Sequence, residues 1–242
     1  MTQNITGPGA GPDSGPGSGP GSESTGFLYP FIESEETDVR ALLDDLAASA
    51  RGKATESARL QQESLQEYDA ALTAAGTAMA DRFLRGGRLY TLGNGGSSTD
   101  AATLASLFSR PAVGRPVAAW SLAADEAVVT ALGNDVGFEL IFKRQIIAHA
   151  RDRDVAIALS TSGNSEDLMT AIAEAGQRGV LTIGFSGHDG GRMAAMCGEP
   201  DGLDFCFTVH SQSIHRIQES HAMLGYRLWQ VAQEQMVQAY AS

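Results

Sequence analysis

Cysteine is nearly absent: the 242 residues contain two, Cys197 and Cys206. Two cannot build a disulfide framework, and there is no second pair for a zinc ribbon. They read as reduced thiols of the kind a cytosolic compartment maintains. Basic residues are also scarce. Seventeen Lys and Arg stand against 29 Asp and Glu, for a net charge of −12. That balance excludes a broad basic face, so direct contact with nucleic acid or an anionic membrane is not expected. An acidic surface for a protein partner remains compatible with it. No run of 18 apolar residues occurs, so no membrane span is expected. Met1 leads into polar Gly/Pro-rich sequence rather than a basic-then-apolar leader. A cytoplasmic location is the expectation.

Apolar side chains are missing from one region above all. Residues 1–25 include the stretch GPGAGPDSGPGSGPGS, which buries too little to offset its ordering entropy and is expected to be a disordered tail. The whole chain is 43% hydrophobic, enough for one sizeable core in the remainder. From 36 to 86 the pattern is helical. Val39, Leu42, Leu43 and Leu46 recur at helical spacing, and Leu60, Leu65, Tyr68, Leu72 and Met79 follow. Two long helices are predicted, broken at Gly52 and ended by Arg85-Gly86-Gly87.

After Gly87 short apolar runs alternate with helical stretches. The runs are Leu89–Leu92, Val117–Trp120, Val155–Leu159, Val180–Phe185 and Phe205–Val209. The helices fall at Thr99–Phe108, Glu126–Leu132, Phe138–Ala150, Ser165–Gln177 and about Ser213–Gln238. Continuous apolar strands separated by helices predict an α/β fold, with a five-stranded parallel sheet between two helical layers. Ligands of such sheets bind beyond the carboxyl ends of the strands.

Two loops occupy that position. Gly93-Asn94-Gly95-Gly96-Ser97-Ser98-Thr99 follows the first strand, and Ser160-Thr161-Ser162-Gly163-Asn164-Ser165 follows the third. Each opens a helix whose first N–H groups lack intrahelical partners and whose dipole favours an anion. Glycine admits close approach, and hydroxyls donate to phosphate without adding charge. The plainer reading is a pair of N-capped turns; two such loops in one sheet favour a phosphate site. Glu166 and Asp167, just beyond Ser165, would repel a phosphate if they faced it. The first loop has Ser98 where a dinucleotide fingerprint requires its last glycine, and neither loop has the P-loop pattern, so a small phosphorylated ligand is preferred to a nucleotide.

The order GNGGSS-x-DA, TALGND, STSGNS, HDGGRMA and RIQE-x-H, within Leu42 to Val237, resembles the sugar isomerase (SIS) domain, a flavodoxin-like fold, and within it the phosphoheptose isomerase group. The resemblance implies a helical extension over 36–86 and an SIS domain over 87–240. It implies substrate contacts at Asn94 and Ser97, phosphate-binding hydroxyls at Ser160, Thr161, Ser162 and Ser165, a sugar contact at Asp135, and Gln218 at the sugar's reactive end. It also implies a homotetramer with sites at subunit boundaries.

Where active family members carry His, Glu and a second His, this chain has Thr103, Leu107 and Tyr226. Those groups serve the family as acid and base, and with the glutamine they can hold zinc. Only Gln218 remains, so no metal or other cofactor is expected. Aldose–ketose isomerisation needs a base that works near neutral pH; Leu cannot ionise, and Thr and Tyr are poor bases there. His215, Gln218 and Glu219 are the substitute candidates, His215 and Glu219 sharing a helix face. His221 matches a family histidine and reads equally well as structural. Trp120 and Trp229 read as core or interface aromatics. Three functions are compatible: a sugar-phosphate-binding protein without catalysis, an isomerase with a rearranged base, and a protein-interaction regulator resembling the replication-initiation regulator of this fold.

Overall fold

The computed structural model describes residues 39–241; the expectation for residues 1–25 lies outside them. A 46-residue helix, α1 (Val39–Leu84), leads the described chain. It runs unbroken through Gly52, where two helices were expected. A helical glycine costs only about 1 kcal/mol relative to alanine, too little to interrupt so long a run. α1 ends at Gly86, whose φ of +78° only glycine adopts without strain. The N–H groups of Gly86 and Gly87 close the last turn on the carbonyls of Phe83 and Arg82, both at 2.9 Å. The chain divides into two units at Ala50/Arg51, and the C-terminal part of α1 belongs to the second.

Strands β1 (Leu89–Gly93), β2 (Ala119–Ser121), β3 (Val155–Leu159), β4 (Leu181–Gly187) and β5 (Phe205–Val209) form one parallel sheet in the order β2-β1-β3-β4-β5. Between them lie α2 (Gly96–Ser109), α3 (Glu126–Asp135), α4 (Ile141–His149), α5 (Glu166–Gln177) and the short α6 (Gly191–Ala195), and α7 (Ile214–Ala241) follows β5. Three differences from the sequence reading are local. The helix expected over 138–150 starts with a 3-10 turn at Phe138–Leu140. The second strand is shifted to Ala119–Ser121, because this short edge strand is half exposed and lacks a continuous apolar signature. The five residues of α6, in HDGGRMA, are too few for a periodic pattern.

Successive strand residues face opposite layers. On one face Leu89, Ile157, Ile183 and Phe207 pack against Leu72 and Met79 of α1, Phe108 of α2 and Leu224 and Leu228 of α7. On the other, Tyr90, Leu92, Ala156 and Ala158 pack against Phe142 and Ile146 of α4 and Leu168 and Ile172 of α5. The predicted three-layer architecture is therefore present. The chain steps outward from β1 to β2, then returns to the far side of β1 to start β3. The strand order thus reverses between β1 and β3, the point where sheets of this kind leave a ligand crevice.

Candidate functional site

The two Ser/Gly loops flank this switch point. β1 and β3 pair in register from Leu89 with Val155 to Gly93 with Leu159, so both loops leave the sheet at the same height. Gly93 sits where a Cβ would lie 2.6 Å from the Ser97 carbonyl oxygen and 3.0 Å from that of Leu159. No side chain fits there, and the first loop can fold back tightly into α2. Asn94, Gly95 and Gly96 follow, and Ser97 is buried in the first turn of α2. Ser98 turns inward, its hydroxyl donating to the Gly95 carbonyl at 2.6 Å.

In the second loop, the Ser160 hydroxyl accepts from the Gly163 N–H at 3.0 Å. The Ser162 hydroxyl accepts from the Asn164 N–H at 3.3 Å. Ser165 is the N-cap of α5, yet its hydroxyl makes no capping bond, which leaves it for a ligand. Ser162 is exposed, and Thr161 and Ser165 are half-buried. The four hydroxyls thus line one turn at the positive end of α5.

The carboxylates that follow Ser165 do not face this turn. Glu166 pairs with the Arg192 guanidinium. Asp167 is buried and accepts from the Asn94 amide, Nδ2 lying 3.1 and 2.9 Å from its two oxygens. Burial raises the Asp167 pKa above the ordinary carboxylate value, and the Asn94 amide opposes that rise. The bond ties the two loops together and answers the repulsion the sequence suggested. It also sets the Asn94 amide: a carboxylate only accepts, so the NH2 faces Asp167 and the carbonyl oxygen is left for a ligand donor.

α7, in the same layer as α2, closes on the first loop. Gln218 donates to Asp100 at 2.8 Å, and a Cβ on Gly96 would lie 2.5 Å from its Nε2. Beside this bond Thr103, Leu107 and Tyr226 come together. With Asp100, Leu104, Leu159, His221, Ala222 and Gly225 they line a recess of about 70 Å³. His221 is almost wholly enclosed, and its Nε2 donates to the Ser186 carbonyl at 2.8 Å. Burial pushes its pKa down to about 4, so the ring is neutral at physiological pH.

Other expected residues lie apart. Asp135 is exposed at the end of α3 and accepts from Asn134 at 2.6 Å; no described contact joins it to either loop. His215 and Glu219 are exposed and line a separate cavity of about 380 Å³ with Lys53, Ser57, Ser213 and Arg216. Glu219 there accepts from the Ser57 hydroxyl. Trp229 is a core residue as expected, whereas Trp120 is half exposed and stacks on Tyr90, ring centroids 6.0 Å apart. Asp100 and Asp167 are the partners that sequence reasoning missed as positioning groups. Asp100 stands within the GNGGSS-x-DA motif; nothing in the local sequence signals the reach of Asp167 to Asn94.

Residues 54–187 match the model of the SIS domain. A phosphoheptose isomerase of Desulfovibrio desulfuricans is 38% identical over 191 residues, covering 78% of this chain and 86% of its own. One from Rhodospirillum rubrum is 43% identical over 145 residues, covering 59% and 74%. The solved phosphoheptose isomerase of Neisseria gonorrhoeae superposes with a TM-score of 0.70 at 31% identity, covering 77% of this chain and 98% of that one.

Proposed function

The chain belongs to the SIS domain family, with phosphoheptose isomerases among its relatives, and from that premise we propose that it binds a small phosphorylated sugar without the acid–base groups to isomerise it. The observation that carries the reading is the pairing of Gly93 with Leu159, which sets both hydroxyl-bearing loops side by side at the switch point. Ser160, Thr161, Ser162 and Ser165 grip the phosphate at the head of α5, where hydroxyls and unpaired N–H groups replace bulk positive charge. Asn94, with Ser97 beside it, receives a sugar hydroxyl at its carbonyl oxygen. Gln218 and Asp135 are further sugar contacts on the strength of the family resemblance.

Isomerisation requires proton transfer between adjacent carbons. The recess beside the loops offers a threonine hydroxyl, a phenol and an alkyl chain where a base is needed. His221 is its one imidazole, and burial makes that ring a weak base. Zinc does not fit this donor set. Thr103, Leu107 and Tyr226 supply no imidazole or carboxylate, Gln218 is engaged with Asp100, and no group of three or more His, Cys, Asp or Glu that could hold a metal occurs among the described residues. The names of the relatives favour a second reading, isomerase activity through a rearranged base. Incubation with sedoheptulose 7-phosphate and zinc, followed for heptose phosphate product, separates the two. Binding by calorimetry without turnover is the expected result; heptose phosphate product, with or without a chelator present, would overturn it.

Assembly into a homo-oligomer belongs to the same proposal. Val39, Leu42, Leu43 and Leu46 are exposed along one stripe of α1, an apolar surface that a second copy would cover. Among the described residues no helix is long and apolar enough to cross a membrane.

A further inference from the structure

A cavity of about 320 Å³ runs along the β2 edge of the sheet, on the face covered by α4. It shares no lining residue with the two Ser/Gly loops. Its volume is at the lower end of the range for small-molecule sites, suited to a mononucleotide-sized ligand. Strand register orders its walls. Tyr90 pairs with Trp120, so Arg88 stands at one end, the two aromatics in the middle, and Leu122 and Asp125 at the other. From Arg88 to the level of Leu122 is four residues along the strands, about 13 Å. α4 keeps the same order. Its His149 carbonyl accepts from the Tyr90 hydroxyl at 3.2 Å, and its Gln145 side chain donates to the Leu122 carbonyl at 2.9 Å.

The polar groups of the lining are sorted by kind. At the first end the Arg88 guanidinium lies 5.7 Å from the Trp120 ring centroid, with no carboxylate partner among the described residues. The exposed His149 ring stands with it. In the middle Trp120 is 49% exposed and stacks on Tyr90; the Ser121 hydroxyl there is covered and unpartnered. The far end holds acceptors. Gln145 is only 8% exposed. Its Nε2 donates to the carbonyls of Leu122 and Ile141 at 2.9 and 3.0 Å, which uses both amide hydrogens and fixes the amide. Its Oε1 accepts from no described group and is left to the cavity it lines. A buried acceptor in that state calls for a donor from outside the protein. Asp125 beside it accepts from the Val128 N–H at 3.0 Å through Oδ1 alone.

We infer that this cavity binds a nucleoside monophosphate whose base carries an amino group. The phosphate lies at Arg88 and His149, the base against Trp120, and the amino group donates to Gln145. Anion, flat ring and donor are required in that order over that span, and an aminopurine nucleotide presents them so. The reverse orientation would set the phosphate against the Asp125 carboxylate. The inference is independent of the sugar-phosphate reading.

Titration calorimetry on the full chain tests it with AMP, adenosine and purine riboside 5′-monophosphate, which lacks the amino group. Quenching of Trp120 fluorescence is a second readout, Trp229 being buried. AMP is expected to bind about tenfold or more tightly than either other probe, since each forfeits one charged or buried hydrogen bond. Trp120→Ala should weaken AMP binding about tenfold and remove the quenching. Arg88→Gln should bring AMP down to the level of adenosine while adenosine itself binds as before, a selective loss that misfolding does not produce. Ser160→Ala/Ser165→Ala should leave AMP affinity unchanged. Absence of AMP binding overturns the inference, as does equal binding of AMP and purine riboside 5′-monophosphate. Loss of AMP binding in Ser160→Ala/Ser165→Ala also overturns it, because the nucleotide would then sit at the loops. Sedoheptulose 7-phosphate, titrated separately, reads the sugar-phosphate site, so the failure of either claim leaves the other in place.

Discussion

Asp167 makes a demanding test of how the two loops act together. Its carboxylate accepts twice from the Asn94 amide at 2.9–3.1 Å from within the protein. Replacing it with alanine leaves that amide without its partner and free to rotate. A hydrogen bond to a charged group is worth about 1.5–3 kcal/mol, so Asp167→Ala is expected to weaken sugar-phosphate binding by a factor of about 10 or more. Inorganic phosphate, held by the second loop alone, should lose far less. Asp167→Asn keeps an acceptor for the Asn94 amide and should restore most of the sugar-phosphate affinity. Stability adds an independent sign. The folded-state pKa of Asp167 is raised, so ionisation costs stability. That cost is absent below the ordinary carboxylate pKa and present above the raised one. Asp167→Asn should therefore match or exceed the unaltered protein in urea melts at pH 7, and lose that advantage as the pH falls through the carboxylate range. Unchanged sugar-phosphate affinity in Asp167→Ala, or failure of Asp167→Asn to rescue it, would refute the proposed coupling.

Other outcomes follow from the same geometry. Ser160→Ala with Ser165→Ala should reduce sugar-phosphate affinity by about 10- to 100-fold, at about 1 kcal/mol or more per lost hydroxyl contact; titration calorimetry measures it. Gly93→Ala puts a methyl against the Ser97 and Leu159 carbonyls and should destabilise the fold by about 1–3 kcal/mol in urea melts. His221, with its pKa lowered from 6.5 to about 4, contributes stability that is fully present above pH 6.5 and lost as the pH falls towards 4. Relative to His221→Gln, the unaltered protein should lose on the order of 3 kcal/mol across that window, read from denaturation at stepped pH. Replacing Leu42, Leu43 and Leu46 together with glutamine should lower the oligomeric state seen by light scattering if α1 carries an interface.

The parts of this structure that were legible in the sequence are those that depend on local pattern. β1, β3 and β4 are buried on both faces, so their runs are continuously apolar and stand out. β5 has its expected span although it is an edge strand, because its run is apolar and Phe207, Thr208 and Val209 are buried. β2 is three residues at an open edge and carries little pattern. Gly52 was read as a break because glycine often punctuates helices, yet its single entropic cost is outweighed by its neighbours on both sides. Site residues divide the same way. The loops drew attention through composition, and Thr103, Leu107 and Tyr226 only through the family resemblance. The Asn94–Asp167 bond depends on β1 lying beside β3, and strand order is a tertiary property that no run of residues encodes locally. Hence Asp167, which would repel a phosphate only if it faced the loop, is turned to Asn94 and acts as a strut between the loops.

The in-register ladder from Leu89–Val155 to Gly93–Leu159 has a kinetic consequence. Both halves of the proposed site are rooted in adjacent strands of one buried sheet, so ligand capture needs no closure of one lobe on another. Association is then an encounter with a preformed cleft, and residence time is set by how fast the loop hydroxyls exchange ligand for water. Occupancy should slow amide exchange in β1 and β3 together, since opening either strand would break the same cleft.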